Sequence, residues 1–275
     1  MSTPVPPLLA GHAHWLARLR AGADQPPRRP RMPLWWQESA IGSVEPDFLD
    51  QIAALCASDG HTVLQKKEQN GIPGWQVQGA LTSGLERIAD AMRRLGLAHA
   101  WRDEQLAVGD AQGRVLGTVE RAVVRPLGIT TFAVHLAAKA PDGRHWVQQR
   151  ALTKPNDPGL WDTLMGGMVP ASDSLEQALE RETWEEAGLR LDQLDGLAWG
   201  GRLTTRRPAG DGGGAGYVVE HIDWYRCVVA EGVVPANQDG EVEQFRLMDA
   251  PEVARRLVQD EFTTEAALIL VDAGL

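Results

Sequence analysis

The chain has 275 residues, 43% of them hydrophobic and 23% charged, and a formal net charge of −10. That length can bury a substantial core in one or two domains, no apolar run approaches the roughly 18 residues of a membrane helix, and the acidic balance argues against broad nucleic-acid binding. Cys56 and Cys227 are the two cysteines; far apart and without a CxxC pair, they signal neither a disulfide framework nor structural zinc and read as buried small hydrophobes. The proline-rich start lacks the basic-then-apolar layout of a secretory signal, so a cytoplasmic location without membrane contact is expected.

Taken in chain order, residues 1–33 read as an arm with a short helical stretch over 14–19, stopped by Pro26 and Pro27. Arg28, Arg29 and Arg31, set among prolines, read as a solvated loop. Phe48, Leu49, Ile52, Ala53 and Leu55 predict a helix over 45–57 with Pro46 in its first turn, and Leu85, Ile88, Ala89, Met92 and Leu95 predict another over 83–95. Short strands are predicted at 61–64, 75–77, 105–108 and 115–119, with a hairpin turn at 110–113. This smaller α+β unit carries no chemical motif. The character of the chain changes near residues 121–126, which predicts one domain over 1–125 and a second over 126–275.

The second domain opens with a nearly continuous apolar strand at 129–138, which suits a buried sheet. His135 within it reads as a satisfied core histidine. A turn at Pro141-Asp142-Gly143 leads to a strand at 145–149 and then to a loop rich in proline and glycine up to Gly159. Further on, strands near 197–203 and 217–229 flank a glycine-rich loop at 209–216, read as flexible and lacking the sequence context of a phosphate cradle. Helices over 250–259 and 264–273 close the chain.

Between these parts lies the segment from Gly166 to Leu189, a glycine-led loop, a helix and a glycine stop. Ser172, Asp173 or Ser174 can cap the helix, and Gly188 can end it in a left-handed conformation. Glu182, Glu185 and Glu186 fall at i, i+3 and i+4, so three carboxylates share one patch. Like charges that close need a compensating cation, either Arg181 or a bound metal, and oxygen-only ligands favour magnesium or manganese. A plain glutamate-rich surface helix is the alternative for the bare triplet.

The flanks favour the metal reading. The stretch resembles the Nudix box, a glycine, five residues, an acid, seven residues, then Arg-Glu-apolar-x-Glu-Glu-x-Gly-apolar, with the spacing intact from Gly167 to Leu189. The resemblance implies a Nudix α/β/α sandwich with a mixed sheet, preceded here by the smaller α+β domain. It implies Mg2+, or Mn2+, held by Glu182, Glu185, Glu186 and the carbonyl of Gly166. By the same resemblance Glu182 would serve as ligand or general base, Arg181 would orient the carboxylates, and Gly167, Asp173 and Gly188 would frame the box. A further glutamate from a later loop is expected, and Glu241 is preferred over Glu243. Asp173 stands where glutamate is usual and, one methylene shorter, predicts a longer or weaker contact to Arg181. Thr183 stands where an apolar residue is usual; its methyl can still pack inward while its hydroxyl bonds the preceding turn.

Together with residues 132–136, 154–161 and 239–248, the pattern resembles the subgroup related to the hydrolase part of fungal thiamin pyrophosphokinase, whose members carry an N-terminal domain of unassigned role. That resemblance implies a small-molecule diphosphate substrate, such as thiamin diphosphate or its oxidised analogues; for the N-terminal domain, shaping the substrate pocket and forming a homodimer interface are both open. ADP-ribose, NADH and coenzyme A stay open as nucleotide alternatives. Trp161, near the box, is the candidate aromatic wall for a substrate ring. An isopentenyl diphosphate isomerase is disfavoured, because no cysteine lies between Cys56 and Cys227, and the intact glutamates argue against a non-catalytic binding module.

Overall fold

The computed structural model describes residues 5–56, 62–98 and 100–275. After a turn of 3-10 helix come α1 (Ala13–Ala23), β1 (Met32–Trp36), β2 (Ser39–Val44), α2 (Asp50–Cys56), β3 (Leu64–Gln69), β4 (Ile72–Val77), α3 (Leu81–Arg94), β5 (Gln105–Gly109) and β6 (Val115–Glu120). Then follow β7 (Thr131–Lys139), β8 (His145–Arg150), β9 (Trp161–Asp162), β10 (Met165–Met168), α4 (Leu175–Ala187), β11 (Leu194–Ala209), β12 (Gly216–Val229), β13 (Val242–Met248), α5 (Ala250–Val258) and α6 (Thr264–Asp272).

The first part forms a four-stranded sheet ordered β2-β1-β4-β3, together with the β5–β6 hairpin. Leu81, Leu85, Ile88, Ala89 and Met92 bury one stripe of α3 in a core shared with Leu34, Ile41, Trp75, Val108 and Val119. The composition-based reading missed β1 and β2, because Pro33 and the surrounding prolines hide a strand that pairs on both sides. It also placed β3 too early. The polar run from Leu64 to Gln69 is a sheet edge, turned into β4 by Asn70 and Gly71, both at positive φ as a tight two-residue hairpin requires. The helix expected over 45–57 starts only at Asp50, since Phe48 N–H bonds Glu45 O (3.1 Å) and closes a turn ahead of it. Residues 57 and 61, the outer ends of two predicted elements, lie outside the described residues.

The second part is a mixed seven-stranded sheet, β11-β12-β7-β8-β13 with β10 on β7 and β9 on β8; only β12 and β7 run parallel. Alternation along β7 sends Leu136 and Ala138 toward a core shared with Leu179 and Ala187 of α4, and Ala133 and Ala137 toward Ile269 of α6. Helices therefore cover both faces, as an α/β/α sandwich requires. The N-terminal arm packs here too: Leu9, Trp15 and Leu16 join Val253, Leu257 and Leu270, and Trp15 Nε1 donates to Asp260 (2.9 Å).

Arg28 and Arg29 are exposed, as a solvated loop requires, but Arg31 and the glycine-rich loop are built into the structure. Arg31 donates to Ala215 O (2.6 Å), to Pro126 O (2.9 Å) and to Ser43 Oγ (3.0 Å). The glycine-rich loop is a 3-10 turn whose Ala215 is buried in the first core, while Gly212 lies against Pro126 and Phe48. A chain of small residues is what lets backbone approach that closely. Among the described residues no helix is long and apolar enough to cross a membrane.

Candidate active site

Helix α4 begins at Ser174, whose hydroxyl accepts from Gln177 N–H while the Gln177 side chain accepts from Ser174 N–H, a reciprocal cap. It ends at Gly188, with φ +62°, where a side chain would collide with Ala236 O. Gly167 has a different reason to be glycine: a Cβ there would overlap the carboxyl group of Glu182. Gly166 likewise lies under the His135 ring. Thr183 is fully buried, and its hydroxyl donates to Leu179 O (2.6 Å), so the departure from an apolar residue is absorbed within the helix.

The three carboxylates sit at three depths. Glu185 is 42% exposed, Glu182 13% and Glu186 2%, and each meets a different field as a result. Arg181 donates from Nη1 to Glu182 (2.9 Å) and Glu185 (2.8 Å), and from Nε to Asp173 (2.9 Å). The expectation of a long Asp173 contact is thus corrected, because the guanidinium reaches the shorter side chain at full hydrogen-bond length. Glu186 accepts from Gly166 N–H (3.0 Å) and Gln148 Nε2 (2.7 Å), and Lys154 Nζ lies 3.3 Å from it. The same ammonium pairs with Glu241. Lys154, Gln148 and the Gly166 amide were not singled out by sequence; a lone lysine in a proline-rich loop carries no motif.

Burial, reinforced by the Glu186 charge, pushes Glu182 up to about 7 despite Arg181. Burial also raises Glu186, against Lys154 and the Gly166 amide. The folded protein therefore holds a proton on Glu182 more tightly than the unfolded chain does. That contribution to stability is fully present below about pH 4.5 and is lost as pH rises through about 7. Urea denaturation of chelator-treated protein should show a loss of up to about 3 kcal/mol across that window, and Glu182→Gln should flatten it.

These groups face a cleft of about 610 Å³. Eleven Asp and Glu and seven Arg and Lys line it, so the cleft is anionic by four charges when all are ionised. Gly166, Gly167, Arg181, Glu182, Glu185, Glu186 and Glu241 are all brought to it. His135 is buried, as expected, with Nδ1 3.0 Å from Thr163 Oγ1, yet it also edges the cleft. Trp161 is not brought there: it is 5% exposed, packed with Val147 and Phe262 between the sheet and the C-terminal helices, with Arg246 and Arg256 over its ring. Its place in this core is a long-range fact, which proximity in sequence to the box does not reveal.

The NUDIX domain model matches residues 130–268, and the chain belongs to the Nudix family. Nudix hydrolase 20, chloroplastic, of Arabidopsis thaliana is 25% identical over 88% of this chain and 66% of its own length. Protein YJR142W of Saccharomyces cerevisiae is 29% identical over 62% of this chain and 54% of its own length, so the chain spans between half and two thirds of these relatives. An isopentenyl-diphosphate Delta-isomerase of Leifsonia xyli is 35% identical over 33% of this chain and 50% of its own length. The crystal structure of DR0079 from Deinococcus radiodurans aligns with a TM-score of 0.48 at 18% identity, covering 60% of this chain and 97% of that one. Nudix hydrolases generally use divalent metals such as magnesium.

Proposed function

We propose that the chain is a magnesium-dependent hydrolase of an organic diphosphate, releasing a monophosphate and phosphate, with residues 126–275 as its Nudix domain. The observation that carries this reading is the placement of Glu182, Glu185, Glu186 and Glu241 on one anionic cleft, each held by a side-chain cation that an incoming ion can replace. The donor set is oxygen only, which suits magnesium or manganese. Among the described residues no three acidic, histidine or cysteine side chains converge as a ready cage. Glu182 and Glu185, paired with Arg181, and Glu186 and Glu241, paired with Lys154, would share those contacts with an ion held there.

When bound, the ion supplies the charge that lets diphosphate oxygens enter an acidic cleft, and it lowers the pKa of water. The residues themselves divide the remaining work. Glu186, bound to Gly166 N–H and Gln148, is the fixed wall of the site. Glu182, poised near neutrality, is the candidate general base. Arg181 orients Glu182 and Glu185, and its Nη2 is buried without a partner among the described residues, so it suits a phosphate oxygen. Lys154, which lines the cleft between Glu186 and Glu241, would be in place to meet a phosphate oxygen.

For the substrate we favour a thiamin-type diphosphate. Glu220 and Glu265 line the wall of the cleft beside Arg207, and burial and then Glu265 push Glu220 up, which suits a cationic ring. His135 apart, no aromatic side chain lines the cleft among the described residues, so a thiamin ring and a nucleotide base alike lack a stacking partner, and it is the paired acids that favour the cationic ring. Burial pushes the Cys56 thiol up to about 11 and the Cys227 thiol to about 12, and neither lines the cleft, so the isomerase likeness lacks a reactive thiol. Product masses from thiamin diphosphate, its oxidised analogues, ADP-ribose, NADH and coenzyme A test the reading. A thiamin-type monophosphate is expected; cleavage of nucleotides alone discards the thiamin substrate and keeps the hydrolase.

A further inference from the structure

We propose that Arg102 and Arg121, at the two ends of the β5–β6 hairpin, bind the phosphate oxygens that the α4 side of the cleft leaves uncovered, making the N-terminal unit part of the active site. This inference rests on the diphosphate reading above.

Both arginines line the same cleft as Glu182, Glu185 and Glu186. Arg102 is exposed and its guanidinium makes no ion pair among the described residues. Arg121 donates from Nη1 to Glu104 (2.6 Å), which aims the guanidinium while its side chain stays 36% exposed. Their backbones are fixed from beneath: buried Glu120 accepts from Arg102 N–H (3.1 Å) and Ala122 N–H (3.3 Å), and Arg121 N–H donates to Glu104 O (2.9 Å). The hairpin is also stitched to the box loop, because Ala171 N–H donates to Gln105 O (2.7 Å) and Met168 packs against the N-terminal core. The separation between these arginines and α4 is thereby set by backbone contacts and does not depend on a loose domain interface.

Their charge faces a cleft lined by more acids than bases. In a protein of net charge −10, fixed guanidinium groups facing an open cleft are a feature that folding does not demand. A planar fork of donors matches phosphate oxygens and is pre-organised for them. An anionic ligand on the carboxylate side would meet its complement on this wall.

The test uses the full chain and methylenediphosphonate, a non-hydrolysable diphosphate, titrated calorimetrically in the presence of magnesium. Arg102→Gln is expected to weaken binding roughly tenfold, and the double variant with Arg121→Gln by about a hundredfold, as for lost charge-assisted hydrogen bonds. KM for a hydrolysed diphosphate should rise in parallel while kcat stays within about threefold, and Arg102→Lys should recover most of the loss. An unchanged thermal midpoint in Arg102→Gln separates binding from folding. Equal affinity in wild type and both variants, or no binding by the wild type, overturns the role of the arginines. A wild type that releases phosphate from no diphosphate removes the hydrolase reading instead, so the two failures are distinguishable.

Discussion

Glu186→Gln should lower turnover of any accepted diphosphate by on the order of 10³-fold or more, the equivalent of several kcal/mol of lost transition-state charge stabilisation. The carboxylate is 2% exposed and accepts from Gly166 N–H and Gln148 while pairing with Lys154. An amide in its place keeps the volume but removes the charge and turns one acceptor into a donor facing other donors. Because a buried change can disturb packing, Glu185→Gln is the companion variant. Its side chain is 42% exposed and touches Arg181, so folding should be unaffected while activity falls comparably. Circular dichroism and thermal midpoints establish the fold, and phosphate release establishes the rate. Near-normal rates in both variants would remove the metal-site assignment.

Gly167→Ala should cost roughly 10²-fold in activity, although it adds only a methyl group. That methyl would overlap the Glu182 carboxyl group, which must move and give up its contact with Arg181. The expected loss of stability is smaller, about 1–3 kcal/mol for local overpacking. Gly196→Ala is the control, since Gly196 carries a positive φ of +63°, which Gly167 does not, and a Cβ there meets nothing within 4 Å. It should be destabilised by backbone strain alone and retain activity. Equal activity loss in the two variants would mean that a general loss of stability, not displacement of Glu182, is responsible.

Much of helix α4 was legible because its signals are local. A cap, a left-handed glycine and acids at i, i+3 and i+4 are separated by a few residues and follow from helix geometry. What the pattern could not supply was depth: Glu185 and Glu186 are neighbours in the chain, yet one is open to solvent and the other sealed under β10. Depth depends on which strand lies beneath, a long-range fact. Lys154 was silent for the same reason, as its role exists only once β8, α4 and the loop before β13 converge. Trp161 shows the converse error, in which closeness along the chain to the box stood in for closeness in space. In the first part of the chain, the Asn70-Gly71 turn was readable and was passed over, whereas β1 was masked by Pro33 and revealed only by its two partners.

The most direct measurement is phosphate release from the diphosphate panel in water enriched with oxygen-18, with magnesium and with chelator. The expected result is release only with magnesium, with the label carried into one of the two phosphate-bearing products, as attack of water on phosphorus requires. Release that persists under chelation, or products without label, would contradict a magnesium-dependent diphosphate hydrolase built on α4.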